Sequence, residues 1–192
     1  MTTFVLATHN AHKVDELRRI LGQRLGPHEL IGYDGPEPVE DGTTFAENAL
    51  IKARAAAAHT GLPSLADDSG ISVAALGGAP GIHSARYAGT RVDADNVARL
   101  LAELSGVADR TAEFTCAAAL VDGETEHVVV GIWPGEVLQA PEGEHGFGYD
   151  PVFRPEGYAH ASAVLTADEK NAISHRARAF GAMVGYLRER YG

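Results

Sequence analysis

A run of apolar residues, 4–7, gives way at Thr8-His9-Asn10 to a stretch with Val14, Leu17 and Leu21 at helical spacing. A buried strand, a polar turn and an amphipathic helix in that order open an α/β fold. The spacing predicts the helix over residues 12–25. A helix N-terminus leaves backbone N–H groups unpaired and carries the positive end of the helix dipole, so residues 8–13 favour an anion. This is not a P-loop, because no G-x-x-x-x-G-K-[ST] is present.

The same reading extends along the chain. Leu30 and Ile31 belong to a second strand, and residues 33–42, rich in Pro, Gly and acid, form a loop. Thr44-Phe45-Ala46-Glu47 fits a capping box, opening an alanine-rich helix that runs to about His59 and stops at Gly61-Leu62-Pro63. Asn48 and Lys52 are four apart and share a face of it. Leu65-Ala66 leads into Asp67-Asp68-Ser69-Gly70, which has turn chemistry, and Ile71-Ser72-Val73 resumes a strand. Residues 77–81 are loop, and Val97, Leu100, Leu101 and Leu104 mark a helix. Strands over 111–121 and 127–133 flank a hairpin signal at Asp122-Gly123. Thr166-Ala167-Asp168-Glu169 is a second capping box, and the last helix carries Ile173, Ala177, Phe180, Val184 and Leu187 on one stripe. With no repeat, linker or low-complexity tract, the expectation is one α/β domain over residues 1–192, a sheet with flanking helices.

Composition narrows the function. A net charge of -10 and a pI near 5.3 argue against a protein that coats nucleic acid or an anionic membrane. The one cysteine, Cys116, lies in an apolar run, so it reads as a buried thiol rather than a nucleophile. The N-terminal apolar run is too short for a signal peptide and no stretch is long enough to span a membrane, which makes the cytoplasm the expected location. Of sixteen Lys and Arg residues only Lys13, Lys52 and Lys170 are lysines, each within a polar cluster. Lysine is a compact point charge where arginine is a planar fork. Three lysines so placed point to one anionic ligand or to three solvated helix faces.

Candidate chemistry gathers at a few places. Asp67-Asp68-Ser69-Gly70 is either a plain polar turn or the site where a carboxylate holds Mg²⁺, with Glu40 or Asp41 as a second carboxylate. Neither EF-hand nor zinc spacing is present. In Gly146-Phe147-Gly148-Tyr149-Asp150-Pro151 the aromatic is either packed in a turn or free to stack on a flat ligand. Ser174-His175-Arg176 sits one turn into the last predicted helix, and no G-x-S-x-G elbow is present.

Taken together and in order, Thr8-x-Asn10-x-x-Lys13, Thr44-Phe45-x-Glu47-Asn48-Ala49-x-x-Lys52-Ala53, Ala66-Asp67-Asp68-Ser69-Gly70, Gly78-Ala79-Pro80-Gly81-x-x-Ser84-Ala85-Arg86-Tyr87, Gly146-Phe147-Gly148-Tyr149-Asp150-Pro151 and Glu169-Lys170-Asn171-x-Ile173-Ser174-His175-Arg176 resemble the inosine/xanthosine triphosphate pyrophosphatase family. The resemblance spans residues 4 to about 180. The chain departs from the family pattern at His9, where many relatives carry Gly, at Val164 and at Ala177.

The resemblance implies an elongated mixed sheet with flanking helices, two lobes and a central active-site cleft. It implies a homodimer that uses Mg²⁺ to hydrolyse ITP, dITP and XTP to the monophosphate and pyrophosphate, cleansing the nucleotide pool. By the same resemblance Thr8, His9, Asn10, Lys13 and Lys52 hold phosphates, and Glu40 and Asp68, with Asp67 as a further candidate, bind the metal. Asp68 is the proposed general base and Ser69 touches substrate. Phe147, Gly148, Tyr149, Asp150, Lys170, His175 and Arg176 form the base and ribose end. A hydrogen-bond donor near the purine 6-position, such as Arg176 or a backbone N–H, would reject adenine. Two rival readings are a Mg²⁺-dependent phosphohydrolase of ordinary nucleotides and a nucleotide-binding regulator without turnover.

Overall fold

The computed structural model describes residues 1–192, apart from the side chain of Gln23. In chain order the elements are β1 (Thr3–Leu6), α1 (Ala11–Leu21), β2 (Glu29–Gly32), α2 (Phe45–Thr60), β3 (Ser64–Val73), α3 (Asp93–Glu103), β4 (Thr111–Asp122), β5 (Thr125–Val137), β6 (Phe153–Pro155), α4 (Ala167–Ile173) and α5 (His175–Tyr191). The strands form one mixed sheet in the order β2-β1-β3-β4-β5-β6. β1 runs parallel to β2 and β3, with Val5 opposite Ile31 and Ser64, whereas β6 is antiparallel to β5. Two residues, Gly123 and Glu124, join β4 to β5, a connection short enough only for antiparallel neighbours.

The chain divides into two compact units. The first comprises residues 1–68, 116–131 and 175–192. Its strands obey the two-residue alternation of a pleated sheet. Phe4, Leu6, Leu65, Cys116, Ala118 and Leu120 enter one core with Leu17, Ile20 and Leu21 of α1 and Phe180, Met183 and Leu187 of α5. Val5, Ala7, Ala66, Ala117 and Ala119 enter the other, under Ala49, Ala53 and Ala56 of α2. The alanine-rich segment is therefore a helix whose small side chains face the sheet.

The second unit comprises residues 69–115 and 132–174. Ile71, Val73, Val97, Leu100, Leu104, Phe114, Trp133 and Phe153 form its core. Phe114 meets Phe153 edge to face, with ring centroids 4.6 Å apart, the arrangement that aromatic quadrupoles favour.

Several sequence expectations need correction. The first helix ends at Leu21 and tightens into a 3₁₀ turn over Gly22–Leu25. At Thr44 only half the capping box forms: its hydroxyl accepts from Glu47 N, but the Glu47 carboxylate turns to Thr43. The complete box is at Thr166 and Glu169. The strand expected over 127–133 is longer, and β6 carried no sequence signal. The final helix is broken: Ser174 is extended, with φ −65° and ψ 164°, and separates α4 from α5. Ile173 packs in the second unit's core while Ala177, Phe180, Val184 and Leu187 pack in the first's, so the apolar stripe serves two cores.

The main difference is at Asp67-Asp68-Ser69-Gly70, which is the middle of a continuous ten-residue strand and not a turn. Gly70 is there for space. A Cβ on it would lie 2.4 Å from Ser84 Oγ and 2.5 Å from the Gly81 carbonyl oxygen. Buried Ser84 accepts from Ile71 N at 2.9 Å and donates to Gly81 O at 2.6 Å, which pins the 81–86 segment against β3. Gly70→Ala should therefore cost about 1–3 kcal/mol through overpacking. Urea unfolding checks this, and a wild-type midpoint would show that the contact relaxes freely.

Candidate active site

Because successive strand residues point to opposite faces, Asp67 and Asp68 cannot share one environment. Asp67 follows Leu65 onto the face packed by α1 and α5. Asp68 follows Ala66 onto the face packed by α2.

On the first face the α1 N-terminus is held by its own side chains. Asn10 Oδ1 accepts from Lys13 N at 3.2 Å, the capping role, and Thr8 Oγ1 accepts from Asn10 N at 3.2 Å. His9 is exposed, 3.7 Å from Glu37. Lys13 Nζ lies 3.0 Å from Asp67 Oδ2. Arg176, in the first turn of α5, reaches the same oxygen at 3.4 Å and also binds Glu16. Both Asp67 and Arg176 are 1% exposed. Burial alone would raise the Asp67 pKa, but Lys13, Arg176 and Lys52 outweigh it and hold the carboxyl well below the usual range. Cys116 Sγ lies 3.9 Å from Asp67, and burial followed by that negative charge pushes its thiol up. This is the inert thiol expected. His175 is buried at the start of α5, where a Cβ on Gly131 would meet its carbonyl oxygen at 2.3 Å.

On the second face Lys52 Nζ stands 2.9 Å from Glu40 and 3.4 Å from Asp68. Asn48, one turn earlier on α2, accepts from Gly42 N at 2.9 Å and so fixes the loop that presents Glu40. Burial pushes the Asp68 carboxyl up; Lys52 and Lys13 oppose this, Glu40 and Asp67 add to it, and the net direction is upward. Burial disfavours the Lys52 ammonium, but Asp68, Asp67 and Glu40 outweigh that and its pKa rises. Asp68 Oδ2 is buried with no hydrogen-bond partner among the described residues.

Glu40 and Asp68 suit a hard divalent cation. Mg²⁺ is usually held by one or two carboxylates, with substrate phosphates and water completing its shell. No group of three or more His, Cys, Asp or Glu among the described residues could hold a metal alone.

The second unit carries its own polar constellation. Ser69 is half-buried in β3. Asp150 is buried and accepts at Oδ2 from Lys170 Nζ at 2.6 Å and from Phe147 N at 2.9 Å, and at Oδ1 from Ser162 Oγ at 2.9 Å. Lys170 Nζ lies 5.0 Å from the centre of the half-buried Phe147 ring. Gly148 N donates to Asp93 Oδ2 at 2.7 Å, and the Tyr149 hydroxyl donates to Ser84 O at 2.8 Å. Gly146, at φ 75°, has no room for a side chain: a Cβ would fall 2.1 Å from Asp150 Oδ2.

Thus Thr8, His9, Asn10, Lys13, Glu40, Lys52, Asp67, Asp68, His175 and Arg176 fall in the first unit, and Ser69, Phe147, Gly148, Tyr149, Asp150 and Lys170 in the second. Sequence reasoning missed Glu16, Asp93 and Ser162. Asp93 lies 55 residues from Gly148 and had no signal beyond its place at a helix start.

A mixed α/β sheet with half-buried lysines paired to carboxylates and a glycine-flanked aromatic loop held by the buried Lys170–Asp150 pair defines the class of this protein. The chain belongs to the Ham1 family, whose model matches residues 4–186. It is 55% identical over 192 residues to a dITP/XTP pyrophosphatase of Leifsonia xyli subsp. xyli, covering 98% of this chain and 96% of that protein. A dITP/XTP pyrophosphatase of Streptomyces coelicolor is 53% identical over the full length of both. Among solved structures, a HAM1 protein from Coxiella burnetii superposes with a TM-score of 0.90 at 41% identity, covering 98% of this chain and all of that one. A nucleoside-triphosphatase / dITP/XTP pyrophosphatase from Mycobacterium abscessus gives 0.77 at 44% identity, covering 94% and 98%.

Asp67→Asn removes the buried charge that balances the buried Arg176 and the half-buried Lys13, so it should cost about 3–5 kcal/mol. The folded pKa of Asp67 is depressed, so its contribution is full above the ordinary Asp value near 3.8 and fades as pH falls through the lower folded value. Chemical denaturation of wild type and variant between pH 7 and 3 should show the gap narrowing only at the acid end.

Proposed function

We propose that this chain hydrolyses dITP, XTP and ITP to the monophosphate and pyrophosphate with Mg²⁺. The observation carrying the reading is Lys52 placed against Glu40 and Asp68, with the Asp68 carboxyl pushed up and its Oδ2 without a hydrogen-bond partner among the described residues. Its likeness to the dITP/XTP pyrophosphatases of L. xyli and S. coelicolor supports it.

Phosphoryl chemistry of this kind rests on positioning and charge neutralisation. Asp68, with its raised pKa, takes a proton from water as the water oxygen attacks the α-phosphorus. The bond to the bridging oxygen then breaks and pyrophosphate departs. Lys52 and Lys13 offset the charge on the phosphate oxygens, and the capped N-terminus of α1 adds backbone N–H groups. Glu40 and Asp68 would hold Mg²⁺, which when bound supplies further neutralisation to those oxygens. Asp67, engaged at Oδ2 by Lys13 and Arg176, supports this arrangement and is a further candidate ligand.

Phe147 and Lys170 serve the base end. Arg176 reaches Glu16 and Asp67 through its two terminal nitrogens, and a backbone N–H is the other candidate for the donor that rejects adenine. The resemblance also points to a homodimer, which light scattering on a sizing column would test.

Pyrophosphate release from dITP, XTP and ITP should exceed that from ATP and GTP in a Mg²⁺ assay, and equal rates on all five would indicate a general nucleotide hydrolase. Asp68→Asn should keep the fold and lose roughly a hundredfold or more in turnover. In ¹⁸O-water the label should enter the monophosphate; label confined to pyrophosphate would rule out attack at the α-phosphorus. Phe147→Ala should raise KM by about tenfold through lost stacking, and an unchanged KM would remove Phe147 from the base site.

A further inference from the structure

Three buried asparagines can be compared. Asn48 accepts from Gly42 N, and Asn96 both accepts from Ala88 N and donates to Ala85 O, so each uses its amide to hold backbone. Asn171 differs. It is 8% exposed, and neither Oδ1 nor Nδ2 has a hydrogen-bond partner among the described residues. Burying an unpaired amide is costly, so a position that keeps one calls for a partner that comes from outside the chain.

Its setting indicates which partner. Asn171 lies in α4, where it and Lys170 are the buried residues. Lys170 is satisfied by Asp150 and sits over the Phe147 ring. An amide presents one acceptor and one donor side by side. A 6-oxopurine presents the complement along one edge, the N1–H donor beside the O6 acceptor.

We propose that Asn171 is a ligand of the substrate base, pairing with its N1–H/O6 edge. The assignment rests on the reading of Phe147 and Lys170 as the base end. An amide can turn over to match adenine as well, so Asn171 holds the edge of the base without choosing between oxo and amino groups.

Stability and kinetics together separate a ligand from a structural amide. In the full-length protein, Asn171→Leu should raise KM for XTP and dITP roughly tenfold or more, the scale of a lost buried hydrogen-bond pair. It should change kcat little and leave the ligand-free melting temperature unchanged or higher, since leucine matches the volume and buries no polar group. A lower melting temperature with KM intact would overturn the proposal. Asn171→Asp supplies a second readout. A carboxylate only accepts, so it loses O6 but can take both N1–H and the 2-amino N–H of guanine. The ratio of kcat/KM for GTP to that for XTP should rise, and an unchanged ratio would overturn the assignment to the base edge. Absence of wild-type turnover of both XTP and dITP would instead sink the reading on which the proposal rests.

Discussion

Everything at the first unit's site depends on strand geometry at two neighbouring carboxylates. A period of two sends Asp67 and Asp68 to opposite faces of β3, and each meets a different helix. Asp67 is buried among cations and stays ionised. Asp68 meets Lys52 and a second carboxylate, and its proton affinity rises. Two chemically identical side chains thereby acquire opposite properties, one as a fixed charge and the other as a group able to accept a proton. Had the segment been a turn, no such division would be imposed.

Much of this was legible before the structure. The strand–turn–helix opening, the α2 helix and the β4–β5 hairpin follow from periodicity and turn residues, and the lysines marked polar clusters. What escaped were features set by distant chain. Asp-Asp-Ser-Gly has turn composition, but Gly70 is required by Ser84, fourteen residues on. The apolar stripe of the last helix runs unbroken through Ile173 and Ala177, so nothing local marked Ser174 as a break. The partnership of Lys170 with Asp150 spans twenty residues, and that of Arg176 with Glu16 spans 160. Local pattern does not encode such pairs.

The loop that carries Phe147 shows how a short segment gains a fixed form without helix or strand. Asp150 folds back on Phe147 N, Tyr149 reaches Ser84, and Gly148 reaches Asp93. The two sequence alternatives for Phe147, packed or free, turn out to be too simple. It is half-buried with a lysine over its ring, and both residues are oriented through Asp150.

Lys52 has one further consequence. Its ammonium already stands against Glu40 and Asp68, so the protein carries its own counterion there. A divalent cation drawn to those carboxylates meets a competitor held by covalent tether at high local concentration. Uptake is then an exchange in which the lysine must find another anion. On the function proposed above, a polyphosphate would provide one, and the cation and the nucleotide would then enter as a pair rather than one after the other.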